Sequence, residues 1–288
     1  MKTFLVPTDF SKNATHALDY AAALASEVNG KLIIVHIVRL IVLPVRSGNI
    51  VCLSEETEID FNLELQKISS RLQLERKVTC TIETICQYEN GPFQAGLNQV
   101  VQDKKVDLVV MGTKGATNLF DKLIGTNTFE FIKIAVCPVL AIPSSANYSG
   151  IKRIAYACDF ESEETIFLQQ LFSLAKPFGS EVSIINIHTD NELDIVVDEQ
   201  IIRDITTRFS GNSYSISQIK EEDVVAGLNK FIEDNSMDLL AVSIKERSFS
   251  EKLFHSSTSK QLIYYTMLPL LALPEKPYQE LLKGNNLK

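Results

Sequence analysis

The chain has 288 residues, of which 45% are hydrophobic and 22% charged, a globular balance that excludes disorder, collagen and coiled coil as its main state. One ordinary α/β domain takes about 150 residues, so this length fits two. The net charge of −8 lacks the basic surplus of a nucleic-acid binder, and no nucleic-acid partner is expected.

The stretch from Met1 to Pro7 has no apolar run long enough for a secretory signal, and residues Thr3–Thr8 read as a short strand. Ser11 can cap a helix reaching about Asn29, with Ala14, Ala17, Leu18, Ala21, Ala22 and Ala25 on one face. Gly30 is placed to end it. Lys31–Val38 is a continuous apolar run, as in a strand buried on both faces. Leu40–Val45 continues that run and could serve as core, lid or partner surface. The whole stretch from Leu32 to Val45 is broken by His36, Arg39 and Pro44. It is shorter than the roughly 20 residues of a spanning helix, so no membrane association is expected. Glu55–Glu75 has helical spacing, Val78–Cys86 reads as a strand, Pro92–Lys104 as a helix and Val106–Met111 as a strand. Thr126–Ala135 reads as a helix and Val139–Ile142 as a last strand.

The second half repeats this order. Asp107-Leu-Val-Val-Met-Gly112 meets Asp238-Leu-Leu-Ala-Val-Ser243, and Ala95-Gly-Leu-Asn98 meets an identical Ala226-Gly-Leu-Asn229. Cys137-Pro138 through Pro143 meets Leu268-Pro269 through Pro274, and Val6-Pro-Thr-Asp-Phe10 meets Tyr156-Ala-Cys-Asp-Phe160. The offset between copies falls from 150 near the start to 131 later, so the first half carries 19 extra residues, within 39–75. Residues 144–150, polar and small, read as the linker. Alternating strands and helices imply right-handed crossovers and a parallel sheet covered on both faces. The expectation is α/β, with two tandem doubly wound domains over 1–143 and 150–274.

The sharpest chemical feature follows the fourth strand of the first copy. It reads Gly112-Thr-Lys-Gly115, then nine residues, then Gly125-Thr126-Asn127. It is neither the dinucleotide fingerprint, which follows a first strand, nor a Walker A loop, because no lysine follows Gly125. Glycines let a ligand approach the backbone. Free amides where a helix begins favour phosphate, and Thr126 adds a hydroxyl donor. Open parallel sheets bind ligands beyond the strands' carboxyl ends, where the strand order reverses. Asp9 ends the first strand there; it can accept hydrogen bonds from a base or ribose, or cap the next helix together with Ser11.

These residues resemble the universal stress protein family. The pattern G-x2-G-x9-G-[S/T]-N is complete as Gly112, Gly115, Gly125, Thr126 and Asn127, and the opening Leu5-Val-Pro-Thr-Asp-Phe-Ser11 is similar to the family's start. The resemblance implies a five-stranded parallel sheet of order 3-2-1-4-5 in each domain and ATP binding in the first. Pro7, Thr8 and Asp9 would surround the adenosine, and Val35 or a near neighbour would touch adenine. Met111 and Gly112 would flank the ribose, with Gly115, Gly125, Thr126 and Asn127 on the phosphates. It also implies that the two domains pair as single-domain members pair subunits, with a homodimer as a further form.

The second copy departs from the pattern, because Gly112, Gly115 and Gly125 become Ser243, Glu246 and Ser256. At about 5 Å and an effective dielectric near 20, Glu246 would repel a phosphate by about 3 kcal/mol. The second copy is therefore expected not to bind ATP in this manner. The five cysteines are scattered without a CxxC, which suits buried thiols in a reducing cytoplasm. The four histidines have no metal-ligand spacing, and neither a metal site nor a catalytic residue is expected. The resulting expectation is a cytoplasmic stress-response switch that binds ATP, or ADP or AMP, with or without Mg2+, and hydrolyses it little or not at all. The alternatives are a nucleotide hydrolase or phosphotransferase, or a small-molecule or protein interaction module.

Overall fold

The computed structural model describes residues 1–45, 48–53, 60–113, 126–160, 164–188, 195–244 and 268–275. Among these the chain divides into two compact units, the first ending at Ser144 and the second beginning at Ser145. The first unit runs β1 (Thr3–Pro7), α1 (Lys12–Glu27), β2 (Lys31–Val45), β3 (Gly48–Leu53), α2 (Phe61–Leu74) and β4 (Thr81–Glu89). It continues with α3 (Phe93–Asp103), β5 (Leu108–Gly112), α4 (Thr126–Ile134) and β6 (Val139–Ile142). The parallel strands lie in the order β4-β2-β1-β5-β6. Counting only parallel strands, this is 3-2-1-4-5.

The central strands are the most apolar because helices cover both of their faces. Phe4, Leu5 and Val6 of β1 and Leu32, Ile33, Ile34 and Val35 of β2 have no exposed surface. Helix α1 begins as expected, with the Ala14 N–H donating to Ser11 Oγ at 3.2 Å. Its end differs from the expectation. Asn29, not Gly30, takes the left-handed turn at φ 48°. The Asn29 N–H donates to Ser26 O (3.3 Å) and the Gly30 N–H to Ala25 O (2.8 Å), the paired bonds that close a helix C-terminus. Gly30 is needed for a different reason. A Cβ there would lie 2.7 Å from the Phe4 ring and 2.9 Å from Lys2 O.

Two further differences arise in the middle of the unit. Strand β2 pairs with β4 out to Arg39↔Glu89, which carries β4 past the expected end at Cys86. Beyond Arg39, β2 continues to Val45 because an unexpected antiparallel strand, β3, supplies ladder partners from Leu40↔Leu53 to Val45↔Gly48. The extra residues of the first half thus build a two-stranded ribbon. The helix expected from Glu55 is described from Phe61, where Asp60 caps it; residues 54–59 lie outside the described residues.

The second unit runs β7 (Arg153–Ala157), α5 (Glu164–Ala175), β8 (Glu181–His188), α6 (Ile195–Arg208) and β9 (Tyr214–Lys220). It ends with α7 (Val224–Asp234), β10 (Leu239–Ile244) and β11 (Leu270–Pro274). Its parallel order is β9-β8-β7-β10-β11, the same 3-2-1-4-5. The repeated sequences perform repeated tasks. Asp107 accepts the Thr3 N–H at 2.8 Å, and Asp238 accepts those of Lys152 and Arg153 at 2.8 Å each, so each carboxylate satisfies backbone donors at the start of a first strand. Gly96 and Gly227 let α3 and α7 approach Glu89 and Glu221, whose Cγ atoms would stand 3.0 and 2.9 Å from an added Cβ. Among the described residues no helix is long and apolar enough to cross a membrane.

Replacing Gly30 with alanine should cost about 1–3 kcal/mol, the range for overpacking a core, because the Phe4 ring and the Lys2 carbonyl leave no room. A urea titration of the full chain should show a midpoint lowered by that free energy divided by the m-value.

Candidate functional site

The strand order reverses between β1 and β5, the place where open parallel sheets receive ligands. The register Leu5↔Val109, carried forward, sets Thr8 level with Gly112. Three chain segments meet the carboxyl end of the sheet there.

The first is the turn after β1. Its last ladder bond is Thr8 N–H to Val35 O at 2.8 Å. The Phe10 N–H then donates to Thr8 Oγ1 (3.0 Å) and the Ser11 N–H to Asp9 Oδ1 (3.0 Å). Phe10 is left-handed, at φ 62°. Pro7 and Thr8 are buried, and Asp9 stands exposed. Asp9 therefore organises the turn and still presents its carboxylate to solvent.

The second is the end of β5. Met111 is buried, so only its backbone can face a ligand. A Cβ on Gly112 would lie 2.5 Å from Asn13 O at the start of α1. The glycine thus serves helix–strand contact directly, whatever it does for a ligand. The third is the first turn of α4, where Thr126 and Asn127 are exposed. Thr128 is buried and its hydroxyl donates to Gly112 O at 2.9 Å. That bond ties the helix start, with its free amides, to the end of β5. Gly115 and Gly125 lie outside the described residues.

Val35 is placed in the core with no exposed surface, and its carbonyl is engaged by Thr8. Of its near neighbours, Ile37 keeps partly open surface and His36 is buried. Sequence pattern did not single out Asn13, His36 or Thr128. His36 Nδ1 lies 2.8 Å from Thr8 O, and its ring packs on Phe10 (4.8 Å between centroids) and Phe61 (4.4 Å). The visible signal for Thr128 was its place one residue past the glycine motif.

The second unit has rebuilt the equivalent place. Where the first has Val6, Ala14 and Gly112, the second has Tyr156, Glu164 and Ser243. All three are buried. The Tyr156 hydroxyl donates to Glu164 and also bonds Ser243. Cys158, at the position of Thr8, bonds Glu164 as well. Burial first, and then the Glu164 charge, pushes both the Tyr156 phenol and the Cys158 thiol well above their usual ranges. Side chains of the protein itself close this end of the second sheet. Glu246 and Ser256 lie outside the described residues.

A doubly wound sheet with a glycine loop at its reversal point defines the class, a Rossmann-like α/β protein. Comparison with known proteins narrows it. The profile of the universal stress protein family matches residues 1–143. The universal stress protein MJ0531 of Methanocaldococcus jannaschii is 30% identical over 144 residues, covering 49% of this chain and 81% of the relative. The universal stress protein Slr1230 of Synechocystis is 23% identical over 295 residues, covering 94% of this chain and 99% of the relative. A solved universal stress protein structure from Archaeoglobus fulgidus shares the fold at a TM-score of 0.64 and 15% identity, covering 96% of this chain and 97% of that one. The chain belongs to the universal stress protein family.

Gly112→Ser, which installs the second copy's residue in the first, should lower stability by about 1–3 kcal/mol because the added Cβ meets backbone rather than a yielding side chain. Tyr156→Phe should cost a similar ~1–3 kcal/mol by withdrawing a hydroxyl from the buried Glu164 carboxylate. Chemical denaturation of each single variant measures both.

Proposed function

We propose that the first unit, residues 1–143, binds an adenine nucleotide as a stress-response switch and that the second, residues 150–274, has lost that site. Family membership supports the reading, but the observation that carries it is local. Three ligand-capable segments converge at the reversal of the sheet, and the Thr128–Gly112 bond holds two of them together. In this reading Pro7, Thr8, Asp9 and the Met111 backbone face the adenosine. Gly112 flanks the ribose with Met111, and Gly115, Gly125, Thr126 and Asn127 take the phosphates, whose charge a helix start favours. The residues fit such a group: Asp9 is exposed to accept hydrogen bonds, and Thr126 and Asn127 are exposed to donate them. ATP is the first ligand to test, then ADP and AMP, each with and without Mg2+.

The nucleotide acts by being bound, not by being consumed. Turnover is slow, below about one per second, the low end of ordinary enzymes. A cytoplasmic location suits the free thiols of Cys80, Cys86, Cys137 and Cys158.

Acid release of the ligand that co-purifies with the chain, followed by mass spectrometry, tests this. About one adenine nucleotide per chain is expected. No released nucleotide, together with no heat on titrating ATP into the protein, would overturn it.

A further inference from the structure

We propose that His36 is a positioning residue for the nucleotide site, a role that rests on the nucleotide reading above. Strand β1 gives out at Pro7, and after the Thr8 N–H has paired with Val35 O the chain leaves the ladder. The Thr8 carbonyl then points at neither neighbouring strand's amide, because the backbone swings through a left-handed Phe10. His36 is level with Thr8 on the adjacent strand, one step past Pro7↔Val35. A carbonyl only accepts, so Nδ1, 2.8 Å away, carries the hydrogen and donates it.

Nε2 is the ring's other polar atom. Nε2 is buried without a hydrogen-bond partner among the described residues, beside the Phe10 and Phe61 rings. An apolar side chain would fill this place without stranding a polar atom. The position is therefore occupied for the bond to Thr8 O rather than for packing. Its ring also supports Phe10, so one side chain grips both ends of the turn that carries Asp9.

The second unit makes the same grip with different chemistry. Asn186 stands at the position of His36, and its Nδ2 donates to Cys158 O at 3.1 Å. Phe160 repeats the left-handed turn at φ 51°, with its N–H toward Cys158 Sγ at 3.4 Å. The requirement at this position is thus a donor aimed at the carbonyl that ends the first strand. The phenylalanine is buried in the second unit and half-buried in the first, while Asp9 and Asp159 are exposed in both. The grip in the first unit sets the direction of the Asp9 carboxylate.

The experiment uses the full chain and four substitutions: His36→Leu, His36→Asn, Asp9→Asn, and His36→Leu combined with Asp9→Asn. Calorimetric titration with ATP reads the dissociation constant, and hydrogen exchange reads protection of the Phe10 and Ser11 amides. His36→Leu should weaken ATP at least tenfold and raise exchange at both amides. His36→Asn, which borrows the second unit's donor, should stay within threefold of the unaltered chain. Asp9→Asn should weaken ATP in the unaltered chain and have little further effect beside His36→Leu. Equal affinity in His36→Leu, an Asn variant as weak as the Leu variant, or additive losses in the double variant would each overturn the proposal. Should His36→Leu not fold, His36→Met takes its place, and the Asn variant still decides on its own. Failure of the unaltered chain to bind ATP would overturn the nucleotide reading and the positioning role together, whereas the exchange data would still report on the grip separately.

Discussion

Each unit places its first strand at the centre of a parallel sheet, and that strand must leave the sheet without stranding its backbone. Every neighbouring feature serves that constraint. Asp107 and Asp238 satisfy backbone amides where the strand begins. A left-handed phenylalanine turns the chain where the strand ends, Phe10 in one unit and Phe160 in the other. A side chain from the second strand, His36 or Asn186, closes the last carbonyl. Buried peptide groups without partners are costly, so these devices are held in both copies even where the surrounding residues have diverged.

The two copies then use the same frame in opposite ways. In the first, small residues at Val6, Ala14 and Gly112 keep the carboxyl end of the sheet low, and the backbone comes to the surface at Asp9, Gly112 and the start of α4. In the second, Tyr156, Glu164 and Ser243 replace all three and meet one another beneath the surface. These changes make sense only as a set. A buried carboxylate needs donors, and the Tyr156 hydroxyl supplies one to Glu164 Oε2.

Much of this frame was legible in the sequence because it depends on patterns with short periods. Strand–helix alternation led to a parallel doubly wound sheet, the offset repeats to two copies of it and the family resemblance to its 3-2-1-4-5 order; Ser11 announced α1, and the limits of β6 were read as they stand. What was not legible depends on contacts across the chain. Gly30 looked like a helix terminator, but the left-handed turn falls on Asn29, and Gly30 answers to Phe4, which lies 26 residues earlier. The resemblance pointed to Val35 or a near neighbour on β2, and a strand buried on both faces shows no alternation from which to choose between them. His36 and Thr128 act on carbonyls 28 and 16 residues away, and no local spacing encodes such a partner. Strand β3 was hidden because Leu40–Val45 is apolar at every position and leaves its pairing unspecified.

The contact between Gly112 and Asn13 also carries a history. Suppose the two units descend from one ancestral domain whose helix start sat as α1 does now. In that ancestor a change of the glycine alone would have cost about 1–3 kcal/mol, since any side chain there meets a backbone oxygen. The contact that seats the first helix thus also restricts what can stand at the head of the glycine loop.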